Sequence, residues 1–187
     1  MSDAHSKADA AMLDSAIKTF RSQKVMADDA IRQISFEQMQ HQPDPESNSV
    51  AVIMKHLAGN MRSRWTDLLT SDGEKGWRDR DGEFVDHYPS REEAEQDWES
   101  GWTVLFDTLG QLDPKDLTVT ITIRDEPHTV FEAIHRQLSH YGYHLGQIVT
   151  LCRTLGGDQW TTLTVPRGQS RQFTERTRAA AKKDTES

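Results

Sequence analysis

Two of the eight histidines in this 187-residue sequence, His140 and His144, fall four apart in the run Ser139-His140-Tyr141-Gly142-Tyr143-His144-Leu145-Gly146-Gln147-Ile148. In a helix, side chains at i and i+4 lie one above the other on one face. Neutral imidazole is a preferred ligand of zinc, nickel and iron, so such a pair supplies two of the ligands a borderline divalent cation needs. A third must come from elsewhere, and the best candidate is His56, on another predicted helix upstream. Three neutral imidazoles leave at least one position open, the ligand count of a catalytic zinc site rather than a closed structural one. A cation held in this way lowers the pKa of bound water or of a thiol toward neutrality and generates a nucleophile at ordinary pH. Bland alternatives stand beside this. Two histidines four apart also arise by chance, one bonding across a core while the other faces water, and His56 taken alone reads as a surface residue.

Geometry thins the remaining histidines. His135 falls about 140° round its helix from His140 and cannot share a mononuclear site with the pair. His128 precedes a helix cap and aligns with His135, although a loop residue can still reach a cleft. His5 and His41 lie in polar, exposed segments, and His87 sits in an acidic connection where it could cover a site from above. Asn60, Gln137, Tyr141 and Gln147 are the polar neighbours that could orient the ligands or handle protons. For Gln137 and Tyr141, packing at the edge of the core is an equal alternative. No carboxylate has a spacing that ties it to the histidines: Glu132 points about 80° away from His140.

The elements that must position these residues are mostly helical. Apolar positions from Met12 to Ile34 recur at helical spacing and predict a first helix over about 9–34, after a frayed N-terminus of about 1–8. Ser35 with Gln38 caps a short turn, and the two prolines of residues 41–48 make a loop. Ser49 caps a second long helix, about 50–69, with an apolar stripe through Ile53, Leu57, Met61 and Trp65. His56 lies about 130° from the centre of that stripe, yet Val52, Gly59 and Asn60 beside it suggest a second buried or cleft-facing side. A long connection over 70–88 follows, with a hairpin turn possible at Asp81-Gly82. Ser90 and Glu93 form a capping box for a third helix to about Leu112, closed by Asp113-Pro114. The alternating run 118–124 is a β-strand, expected to pair with part of 79–88 or with a neighbouring chain. Thr129 and Glu132 box the last long helix, which Gly156-Gly157 ends as a left-handed cap. The expected fold is therefore all-α in the main, an up-down four-helix bundle in one domain over 1–187 with a short strand or hairpin insertion.

Composition excludes several classes of function. The formal net charge is −8, and residues 72–99 carry eleven Asp and Glu against four Lys and Arg. A broad nucleic-acid-binding face is not expected, and the basic stretch 167–183 reads as part of a solvated tail over about 170–187. Mean hydropathy is −0.75 and no apolar run approaches a membrane span, so no membrane partner and a cytoplasmic setting are expected. The single cysteine, Cys152, lies among Ile148, Val149, Leu151 and Leu155 and reads as a buried small hydrophobe.

The chain resembles the DinB-like (YfiT-like) metal-dependent hydrolases, and especially a bacterial subfamily of unknown function within them. The resembling residues are Pro43-Asp-Pro-Glu-Ser-Asn-Ser49, Val52-Ile-Met-Lys-His56-Leu-Ala-Gly-Asn60-Met-Arg-Ser-Arg-Trp65, Asp72-Gly-Glu-Lys75, Thr122-Ile-Arg-Asp-Glu-Pro-His-Thr-Val130, Gln137-Leu-Ser-His140-Tyr-Gly-Tyr-His144-Leu-Gly-Gln-Ile148 and Thr162-Leu-Thr-Val-Pro-Arg-Gly-Gln-Ser170. The resemblance implies a four-helix bundle, commonly a homodimer, with nickel, zinc or a similar ion held at one end by His56, His140 and His144. It implies hydrolysis or transfer of a low-molecular-weight thiol, on a small-molecule substrate. The rival from another class is a non-catalytic bundle dimer whose histidines sense metal or pH.

Overall fold

The computed structural model describes residues 2–85 and 88–185, with side chains over 6–85 and 88–180. The described residues form six α-helices: α1 (Ser2–Ile31), α2 (Phe36–Gln40), α3 (Val50–Trp65), α4 (Arg91–Gln111), α5 (Val130–Gly156) and α6 (Ser170–Thr185). An antiparallel hairpin of β1 (Thr120–Ile123) and β2 (Glu126–Thr129) stands between α4 and α5. The fold is thus mainly helical with a hairpin insertion, as the sequence implies.

Short polar side chains set the helix starts. Ser49 Oγ accepts from the Val52 amide at 3.1 Å, and reciprocal capping boxes join Ser35 to Gln38 and Thr129 to Glu132. At α4 only one half of the expected box is made, Ser90 accepting from the Glu93 amide. Gly157 closes α5 with a φ of 52°, which costs a residue without Cβ nothing. Two boundaries differ most from expectation. α1 starts at Ser2, because Ala4, Ala8, Ala10 and Ala11 favour helix without any apolar period to advertise it. α3 stops at Trp65 rather than Leu69, where Asp67 turns the chain with a left-handed φ of 50°.

The long helices α1, α3, α4 and α5 pack around an aromatic centre to which each gives one ring. Phe20 lies 6.3 Å from Trp65 and 5.7 Å from Tyr141, and Trp102 lies 6.0 Å from Tyr141, between ring centroids. All four residues are 0–1% exposed. Their directions break the expected alternation at one step. α3 and α5 are antiparallel, with His56 beside His144 and Arg64 lining one cavity with Gln137, and α1 and α4 are antiparallel, with Asp28 on Trp98 and Arg21 over Phe106. α3 and α4 run the same way: Met54 and Trp98 line one cavity, Ala58 meets Gly101 and the Trp65 carbonyl accepts from Thr108. The order is therefore up, down, down, up, and residues 66–90 must travel back along α3 before α4 begins.

That return segment forms no hairpin at Asp81-Gly82; a 3-10 turn, Gly82–Phe84, takes its place. The strand expectation is corrected at the same point. β1 pairs with β2 rather than with the described residues of 79–88, Thr120 opposing Thr129 and Ile123 opposing Glu126. The two-residue turn is Arg124-Asp125, both left-handed at φ 56° and 63°. Such turns normally carry Asn or Gly, so this pair gives no hairpin signal in the sequence. Asp72 in the return segment supplies what the turn residues lack, its carboxylate accepting from the Arg124 and Asp125 amides at 2.9 and 3.0 Å.

Cys152 is fully buried, and burial pushes its thiol up to about 12, as befits a core residue. The described side chains of α6 are all exposed. No helix among the described residues is long and apolar enough to cross a membrane.

Candidate metal centre

α3 brings His56, and α5 brings His140 and His144, to one point. One nitrogen from each ring lies within 4.8 Å of the others, an arrangement that could hold a metal ion. His56 is 4% exposed, His144 9%, and His140 is half-buried. His56 Nε2 stands 3.3 Å from His140 Nε2. Two imidazole nitrogens bound about 2.05 Å from one tetrahedral zinc would themselves be about 3.3 Å apart, so this edge already has the length the ion requires.

Hydrogen-bond partners fix which nitrogens are free. His56 Nδ1 lies 2.9 Å from Glu83 Oε2, and an ionised carboxylate only accepts, so the ring proton sits on Nδ1 and the Nε2 lone pair faces the cluster. His144 Nδ1 lies 2.9 Å from the Gln147 side-chain carbonyl, which assigns its proton the same way. Gln147 is itself oriented by donating to Tyr143 Oη at 3.2 Å. Burial, the adjacent His144 and His56, and the cations Arg78 and Arg64 push His140 down to about 3. Burial and His56 lower His144 too, outweighing the bond to Gln147. Uncharged His140 and His144 rings beside His56 Nε2 approach the state a divalent cation binds.

Glu83 is the residue that spacing could not find. It is 6% exposed, lies in the 3-10 turn, and carries a bidentate ion pair from Arg78, whose Nε and Nη2 reach it at 2.7 and 2.8 Å. Burial works against its charge, but the bonds from His56 and Arg78 prevail and hold its carboxyl below the usual range. Gly59, one turn beyond His56 on α3, makes the approach possible: a Cβ there would collide with Glu83 Oε1. Phe84 then covers His56 with ring centroids 4.9 Å apart. That cover explains why a histidine so far from the apolar stripe of α3 is buried.

The other candidates take distinct places. Asn60 and Gln137 line a cavity of about 320 Å³ that opens on His56 and His140. Tyr141 lies beneath it, wholly buried, accepting from Trp65 Nε1 and donating to Asn60 Oδ1, each at 3.1 Å. Burial raises the Tyr141 hydroxyl, keeping it a protonated donor. The aromatic centre of the bundle is thereby linked to the cavity wall. On the far side of His144, Tyr143 and Gln147 line a second cavity of about 720 Å³ against the loop over 43–48.

The remaining histidines stay apart from the cluster. His135 is exposed, its Nδ1 3.1 Å from the Phe131 carbonyl and its ring against Phe131. His128 sits in β2 opposite Ile121, and His41 is exposed at the end of α2. His87 lies outside the described residues, as does the side chain of His5.

Fold and site together define a helical bundle with a three-histidine cluster able to hold a metal ion. Residues 7–169 match the family described as protein of unknown function DUF1572, and the chain belongs to that family. Among curated proteins none matches the chain.

Proposed function

We propose that the chain is a DinB-like metal-dependent enzyme in which His56, His140 and His144 hold one divalent ion, zinc or nickel, and act on a small-molecule substrate. The observation that carries this proposal is the convergence of three imidazole nitrogens within 4.8 Å, two of them directed by their own hydrogen-bond partners. A bound ion supplies the Lewis acidity that brings a water, for hydrolysis, or a low-molecular-weight thiol, for transfer, toward its deprotonated form at neutral pH. The chain's part is to prepare the place. Glu83 accepts the His56 Nδ1 proton and makes the ring a better donor, in the manner of carboxylate–histidine pairs behind metal ligands. Gln147 holds the His144 ring by the same device, and Phe84 shields His56 from solvent. Asn60 and Gln137 present amides to whatever occupies the adjoining cavity. A cytoplasmic homodimer, as in the proteins it resembles, belongs to the same proposal.

The test is metal analysis of protein purified without chelator, beside His140→Ala. About one zinc or nickel per chain in the wild type, and its loss from the variant, is the expected outcome. Equal metal content in the two proteins would refute the assignment.

A further inference from the structure

The cavity beside the histidine cluster is lined by five arginines, Arg64, Arg78, Arg80, Arg124 and Arg136, in a chain whose formal net charge is −8. Nearby carboxylates offset only part of that charge. Arg78 is committed to Glu83, and Glu74 lies 3.4 Å from Arg78 and 3.3 Å from Arg124. Arg80 and Arg136 make no ion pair among the described residues. Arg64 is the most telling of the five. It is 3% exposed, and its Nε and Nη1 are buried without a hydrogen-bond partner among the described residues. Space is reserved for it, because a Cβ at Gly73 would stand 2.6 Å from Arg64 Nη1. Folds rarely bury a guanidinium with its donors unused unless an acceptor arrives from outside. The fork geometry of arginine suits oxyanions above all others.

We propose that this cavity is an oxyanion pocket, which holds the carboxylate or phosphate end of a small substrate on Arg64 and Arg136 and leaves its reactive end at the histidine cluster. The placement of the reactive end rests on the metal-site proposal above. His56 and His140 line the same cavity as the arginines, so one small molecule can touch both. A volume of about 320 Å³, at the small end of ligand pockets, suits a small-molecule anion.

The experiment is a calorimetric titration of metal-free protein with inorganic phosphate and, separately, succinate at constant ionic strength. Removing metal first isolates the arginines, since oxyanions also coordinate cations. Saturable binding of at least one anion is expected, and the tighter of the two names the headgroup. Arg136→Gln, at an exposed position that folding does not need, and Arg64→Met should each weaken binding about tenfold or more, the loss typical of a charged hydrogen bond. Arg153→Gln, on the same helix outside the cavity, should bind as the wild type does. Should Arg64→Met fail to fold, Arg80→Gln takes its place beside Arg136→Gln. No saturable binding of either anion, or wild-type affinity in Arg136→Gln, overturns the proposal. The two proposals fail separately. Absent anion binding in a protein that loads zinc through His140 removes the oxyanion pocket alone, whereas zinc retention by His140→Ala removes the metal site and leaves the metal-free titration standing.

Discussion

Glu83 and His56 make the most consequential pair at the scale of single residues. The carboxylate fixes the tautomer and direction of the ring, and Arg78 fixes the carboxylate. Partners of this kind behind a metal ligand are typically worth about 10- to 100-fold in metal affinity. On the metal-site proposal, Glu83→Gln is therefore expected to weaken zinc binding by about that factor, read by competition with a chromophoric chelator, and also to lower the melting temperature, because Arg78 loses its buried partner. Undiminished affinity would show that the pair is structural only. The sequence discloses the three histidines because two share a helical period and the third sits among small residues that invite a close neighbour. It does not disclose Glu83, since a residue in an irregular segment bears no periodic relation to any helix face. Gly59, one turn from His56, is the trace it leaves in the sequence, legible only once the carboxylate has been placed.

At the scale of elements, the hairpin depends on Asp72. Its carboxylate accepts from the amides of Arg124, Asp125 and Glu74 and so supports two residues held in the left-handed region. Burial opposes the charge, but those amides outweigh it and keep the carboxyl well below its usual value. Because the folded-state pKa is depressed, the stabilisation is complete above the unfolded value of about 4 and is lost as pH falls below it. Asp72→Ala should cost about 1 to 2 kcal/mol at pH 7, with the gap from wild type narrowing toward pH 3. A gap independent of pH in denaturant melts would refute this account. The same contact explains an error of expectation. β1 is legible from its β-branched alternation, whereas β2 holds Pro127 and a turn without Asn or Gly, so only a carboxylate fifty residues away reveals the pairing. The starts of α2, α3, α4 and α5 are legible, because caps are local chemistry.

The whole molecule is a bundle whose four long helices meet at Phe20, Trp65, Trp102 and Tyr141, with the site built on one flank of that centre. α6 contributes nothing visible to this core, its described side chains being exposed and all of it lying beyond the family match. Removing residues 170–187 should therefore shift the melting temperature by no more than about 2 °C, the scale of ordinary surface changes. A larger fall would show that α6 docks. Helix directions were not legible in the sequence, because amphipathic periodicity says which face is buried and not which way the neighbour runs.

The shared direction of α3 and α4 has a chemical cost and a chemical use. A bundle that alternated at this step would need only a tight bend. This one needs a strap to span the roughly 24 Å length of α3, and the strap carries Arg78, Arg80 and Glu83 past the histidines. The scaffold and part of the cavity wall are therefore written in different stretches of chain. Changes at Arg78, Arg80 and Glu83 would alter the walls of the cavity while the strap's core residues, Leu68 and Tyr88, kept the helices packed.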